Sequence, residues 1–267
     1  MPKTTLVDVP LASADAIPRS RANQRQFYVT MAYACAAIAF AGFIPTYWAP
    51  VASQTFGGAP ILHVHGLLFS AWPVLLVIQA RLAVARRFER HRALGFAGIS
   101  LATAMLFAGV LVVIHSLNVG IASGYEPQVR AFAIVPLSIV MSFGVLVAGA
   151  MANVRRPDVH MRLLLAASIA ILPPAIARIL FLLLAPEGMT APGQGAPPTV
   201  MFALAPSFIA NGLLIIAMLH DRRKRGGVHS AYVAAGLFLV VVQIARIPFS
   251  TTTTWLAITN WLLGLGG

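Results

Sequence analysis

The chain has 267 residues, of which 59% are Ala, Val, Ile, Leu, Met, Phe, Trp, Tyr or Cys and only 10% are Asp, Glu, Lys or Arg. A soluble domain carries about 25% charged residues, so a water-soluble fold is excluded. Nineteen Lys and Arg against seven Asp and Glu give a net charge of +12. These charges gather at the ends of apolar stretches, where they set topology, so the balance points to a lipid bilayer as partner and to no nucleic acid. The single cysteine, Cys35, lies in an apolar stretch and forms no intramolecular disulfide. The first 25 residues are polar and lack the apolar core of a signal peptide.

In chain order, seven apolar segments are long enough to cross about 30 Å of hydrocarbon: 27–49, 60–85, 93–118, 131–153, 161–184, 199–219 and 230–256. Each is expected to be helical, because unpaired backbone in lipid costs several kcal/mol per group. The loops alternate in charge. Lys3, Arg19, Arg21 and Arg25 precede the first span, whereas residues 50–60 carry no charge. Arg86, Arg87, Arg90 and Arg92 follow the second span, Arg155, Arg156 and Arg162 flank the fourth connection, and Arg222, Arg223, Lys224 and Arg225 follow the sixth. The other loops hold only Glu126, Arg130 and Glu187. The positive-inside rule then puts the N-terminus in the cytoplasm and the C-terminus outside. The sequence therefore predicts an all-α integral membrane bundle of seven transmembrane helices, with a polar cytoplasmic tail over 1–26 and one membrane domain over 27–267, in a bacterial inner membrane.

The arginine-rich loops carry a weak repeat. Arg86-Arg87-Phe88-Glu89-Arg90-His91 matches Arg155-Arg156-Pro157-Asp158-Val159-His160, and a longer third copy runs from Arg222 to His229. Either three helix pairs share one plan or topology alone demands recurrent arginines. Pro45, Pro73, Pro136, Pro173, Pro174, Pro206 and Pro248 fall within spans and predict kinks.

The polar inventory of the spans narrows the chemistry. All seven acidic residues are expected in loops or tails, which disfavours carboxylate proton relays and carboxylate metal sites. Both lysines, Lys3 and Lys224, lie outside the spans, so no retinal Schiff base forms. What remains is cationic or imidazole. Arg178 is 17 residues beyond Met161 and Arg246 is 16 beyond Ser230, so both are expected in the outer half. His65, near the start of its span, and His115, near the end of its own, are expected in the same layer, with His63 just above. The arginines lack a carboxylate from their own spans. They either bond main-chain carbonyls, attract Glu126 or Glu187, or hold a bound anion.

Two uses of the histidines compete. His65 and His115 on opposite faces of haem b, with Arg178 and Arg246 on the propionates, would account for all four residues. A copper or zinc site from His63, His65 and His115 would leave the arginines unexplained. At the inner side, His91 and His160 either bind a second haem or sit as ordinary interfacial residues. Tyr47, Trp48, Trp255 and Trp261 read as an aromatic belt, Trp72, Phe69 and Phe107 as packing, and Gln79, Asn211 and Gln243 as amides joining helices. The stretch from Glu187 to Pro198, rich in Gly and Pro, reads as an irregular outer loop.

The segment from His63-Val-His65-Gly66 through Gln79 to His91-Arg92-Ala93-Leu94-Gly95 resembles uncharacterised bacterial multi-spanning proteins with an H-x-H-G start, a late glutamine and an H-R-x-L-G loop. More remotely, the chain resembles b-type cytochromes, which implies haem or quinone redox chemistry. The leading expectation is thus a membrane oxidoreductase engaged in electron transfer, binding haem near the outer face and linked to a quinone or an oxidant. The others are a transporter or receptor for an anionic small molecule between Arg178 and Arg246, and an accessory subunit of a larger membrane complex.

Overall fold

A computed structural model describes the backbone of residues 16–184 and 195–266, with side chains from Gln26 onward. Lys3, Arg19, Arg21, Arg25 and Glu187 lie outside the described side chains, as does most of the loop before Pro198.

Helix α1 (Ala16–Phe43) continues through a π-helical turn (Ile44–Trp48) into the short α2 (Ala49–Ala52). The turn sits at Pro45, whose missing N–H interrupts the α ladder, and the Ala49 N–H bonds Ile44 five residues back. Helices α3 (Pro60–Val84) and α4 (Phe88–Ala122) form a hairpin through a tight connection in which Arg86 adopts φ +56°. Helices α5 (Glu126–Phe132) and α6 (Ile134–Ala152) follow one another across a break at Ala133. Helices α7 (Pro157–Ala170) and α8 (Pro173–Leu184) are bent by 41°, since Pro173 and Pro174 supply no N–H to the preceding turn. A 3-10 turn (Val200–Ala203) leads into α9 (Leu204–Arg225), which ends at Gly226 with φ +76°. Helices α10 (Ser230–Phe249) and α11 (Thr253–Gly264) complete the order.

Among the described residues, six helices are long and apolar enough to cross a membrane, or seven if the bent α7–α8 pair is one span. Exposed apolar residues cover their outer faces, including Leu67 (68% exposed), Phe96 (74%), Phe107 (68%) and Leu237 (65%). In water such a girdle would aggregate; facing lipid tails it costs nothing, so the chain is a multi-pass membrane protein with the bilayer as partner. The interior packs Met105, Phe143, Ala166, Ala167, Ile169 and Leu214, all fully buried or nearly so. Close approaches rest on glycine: Gly42 lies against the Ala175 backbone, and Gly109 against Val140.

The expected last span, 230–256, is divided. Ser250, Thr251 and Thr252 each donate a hydroxyl to the carbonyl three residues back, at 2.7, 3.2 and 2.8 Å. These side chains take carbonyls that the ladder would use, so the helix stops at Phe249 and α11, about 18 Å long, is too short to cross. Trp255 is correspondingly buried, donating to the Arg130 carbonyl at 2.7 Å, and does not join an aromatic belt; Trp261 stays 64% exposed.

Candidate functional site

The residues expected to share one layer fall into two separate groups. At the π-turn, Arg178 donates from Nε to Thr46 Oγ1 at 3.0 Å and from Nη1 to the Pro174 carbonyl at 2.9 Å, and its guanidinium lies 4.4 Å from the Phe43 ring centre. Tyr47 meets His63 Nδ1 at 3.3 Å, and His65 stacks on Phe69 within electrostatic reach of Arg178. His63, His65 and Arg178 are thus brought to one end of α1.

His115 and Arg246 are elsewhere. Gly98 faces Leu75, and Gln79 bonds His91, which fixes the pairing of the α3–α4 hairpin. Extending that pairing sets His65 opposite Phe107, so His115 lies eight residues, or about 12 Å, further along α4. Arg246, 3% exposed, donates from Nη2 to the Ala203 carbonyl and to Ser207 Oγ, both at 3.0 Å. It has no partner in common with Arg178. Both arginines therefore use main-chain oxygens, one of the expected outcomes, although neither carbonyl is one freed by the proline at its own helix. Glu126 bonds Arg130 at 2.8 Å and reaches neither arginine. The described contacts bring His65 to Arg178 and give Arg246 other partners, Ala203 and Ser207. His63, His65 and His115 do not gather: among the described residues no group of three or more His, Cys, Asp or Glu is placed to hold a metal ion.

The arginine-rich end holds the more organised site. His91 Nδ1 lies 3.3 Å from the Gln79 carbonyl, and Gln79 Nε2 donates to the His91 carbonyl at 3.1 Å, a reciprocal clamp across the hairpin. His160, at the matching repeat position, has Nδ1 2.9 Å from the Ala150 carbonyl. A carbonyl only accepts, so each ring carries a proton on Nδ1, and in the neutral ring Nε2 is then an acceptor. Both rings line one cavity of about 100 Å³, together with Tyr28, Leu76, Gln79 and Leu164. The cavity is otherwise apolar, and the two imidazoles are within electrostatic reach of one another. Gln79 Oε1 is buried there without a partner.

Behind this cavity is a buried polar chain. The Tyr28 hydroxyl accepts from Tyr232 at 3.1 Å, which leaves its own proton to donate. Arg162 lies 5.5 Å from the Tyr232 ring centre and grips Asp221 with Nε and Nη2 at 2.8 and 2.7 Å; Arg162 is fully buried and Asp221 is 1% exposed. Its Nη1 donates to the Asp158 carbonyl at 2.6 Å, and His229 meets the Asp158 carboxylate at 3.0 Å.

Asp221 corrects the expectation that every acidic residue lies in a loop or tail. Helix α9 runs six residues beyond the expected end at 219, so Asp221 is a buried helical residue. Its pairing with Arg162, across 59 residues, had no local signal. Tyr28 was likewise missed, because only the packing of α1 on α7 brings it to the cavity. The glutamine-to-histidine spacing did carry a signal, and the clamp gives its physical reason. No known protein family, no curated protein and no solved structure matches the chain.

Proposed function

We propose that this chain is a redox protein of the bacterial inner membrane whose cytoplasm-side cavity takes one edge of a quinol ring. The α7–α8 pair is counted as one bent span, giving seven, and the arginine-rich end is placed in the cytoplasm by the positive-inside rule. One observation carries the reading: two imidazoles, each fixed through Nδ1 by a main-chain carbonyl, line one largely apolar cavity. An apolar cavity of about 150 Å³ holds benzene, so about 100 Å³ suits part of a single substituted ring. A quinol presents hydroxyl donors. His91 Nε2 and His160 Nε2 would accept hydrogen bonds from these hydroxyl groups, and the Tyr28 hydroxyl would donate to a ring oxygen.

A second reading uses the same nitrogens as metal ligands, since ligating histidines are commonly held by an Nδ1–H bond to a carbonyl. Copper or zinc needs more ligands than two imidazoles, and a cavity of about 100 Å³ is small for a haem macrocycle. The ring reading therefore fits better. The test is binding of decylubiquinol and of menadiol to the purified protein in nanodiscs, with metal analysis and a reduced-minus-oxidised spectrum alongside. Saturable binding, weakened about 10-fold or more in His91→Ala and His160→Ala, is expected, that being the loss of one hydrogen bond to a buried acceptor. No saturable binding of either quinol refutes the reading, and a haem band or stoichiometric metal lost in both variants replaces it with the second.

A further inference from the structure

Arg81 stands on a face of α3 that otherwise meets lipid. It follows the exposed Val74 by seven residues and the exposed Ile78 by three, a spacing that puts all three on one side of the helix. On α1, Thr30, Tyr33, Ala37 and Ala41 form a matching exposed stripe, with Tyr33 48% exposed. Arg81 donates from Nη1 to the Tyr33 hydroxyl at 3.1 Å and so joins the two stripes. Helix α3 is about 37 Å long, about 7 Å more than the hydrocarbon slab, and Arg81 lies in its last turn. That is the level at which acyl chains give way to phosphate headgroups.

The pair has donors to spare and no anion. Arg81 Nε and Nη2 make no hydrogen bond among the described residues, and the Tyr33 hydroxyl, accepting from Arg81, keeps its own proton to give. None of the described ion pairs includes Arg81. A guanidinium facing lipid is costly without a partner, and a phosphate offers the oxygens that its planar set of donors fits. Between 81 and 92 the chain carries Arg81, Arg86, Arg87, Arg90 and Arg92 against Glu89 alone, so a headgroup of net negative charge is favoured over one that brings its own ammonium. Phe88 and Phe96, 44% and 74% exposed, flank these arginines, which marks a lipid surface and not an aqueous partner. We propose that Arg81 and Tyr33 bind the phosphate of an anionic phospholipid whose acyl chains lie along Val74 and Ile78, with Arg86 and Arg87 setting the preference for negative charge.

The test follows thermal unfolding of the full chain in one detergent, titrated with phosphatidylglycerol, phosphatidylcholine or soluble glycerol phosphate. Phosphatidylglycerol is expected to raise the midpoint saturably, as any ligand of the native state does, and the other two to act weakly or not at all. Arg81→Ala should weaken the apparent phosphatidylglycerol affinity about 10-fold, the value of one hydrogen bond between charged groups, and Tyr33→Phe, which keeps the ring and removes the donor, about 5-fold. If Arg81→Ala does not fold, the Tyr33→Phe shift decides the matter alone. Equal midpoints with phosphatidylglycerol and phosphatidylcholine, or an unchanged affinity in the variants that fold, overturn the proposal. An equal response to glycerol phosphate also overturns it, since the ligand is then a free phosphate and not a lipid.

Discussion

Replacing Asp221 by Ala strands the guanidinium of Arg162. The pair is sealed from lipid and water alike, with two charge-assisted bonds at 2.8 and 2.7 Å and Arg162 fully buried. Truncating one partner of such a pair costs about 3–5 kcal/mol, because the surviving charge keeps its desolvation penalty and loses its compensation. For a chain of this size 1 kcal/mol moves the unfolding midpoint by about 2–4 °C, so Asp221→Ala should lower it by about 10 °C. The double variant Arg162→Met with Asp221→Leu removes both charges and should recover most of that loss. Circular dichroism melts in one detergent, run on the single and double variants, give the comparison. A fall of less than about 2 °C in Asp221→Ala, or a double variant as unstable as the single, would refute the claim that the uncompensated charge carries the cost.

Three further predictions rest on separate contacts. Gly42→Ala should destabilise by about 2–3 kcal/mol in the same melts, since the added methyl would sit 2.6 and 2.7 Å from Ala175 Cα and C, backbone atoms that do not yield as a side chain does. Trp72→Phe should cost about 1–2 kcal/mol through loss of the buried 3.0 Å bond to Ser168, and an unchanged midpoint would show that Ser168 finds another partner. Alkaline phosphatase fused after Gly264 should be active in cells and a fluorescent protein at the same point dark; the opposite pattern inverts the proposed orientation.

The lipid solvent made the architecture readable. It demands apolar runs and arginine-marked ends, and these are properties of single segments, so the spans and the charged end stand in the sequence almost as the structure has them. The depth of individual residues was less readable, because it depends on where each helix stops. Extending α9 to Arg225 was enough to carry Asp221 into the interior, and extending α4 to Ala122 set His115 four residues further from its helix end than expected. His91 and His160 were legible through the loop repeat, which places each ring against a carbonyl near the end of the preceding helix. The third copy diverges: His229 caps α10 by accepting from the Ala231 N–H and meets Asp158 with its other nitrogen. Tyr28, Tyr232 and the Arg162–Asp221 pair depend on contacts between helices far apart in sequence, for which periodicity holds no information.

Helix α4 has 35 residues and α10 has 20, so they are about 52 and 30 Å long. The shorter matches the hydrocarbon slab upright, whereas the longer exceeds it even when steeply tilted. The annulus around the molecule is therefore uneven: long acyl chains are favoured beside α4 and shorter ones beside α10. A protein shaped in this way favours different tail lengths around its own perimeter, and its unfolding midpoint should shift with bilayer thickness.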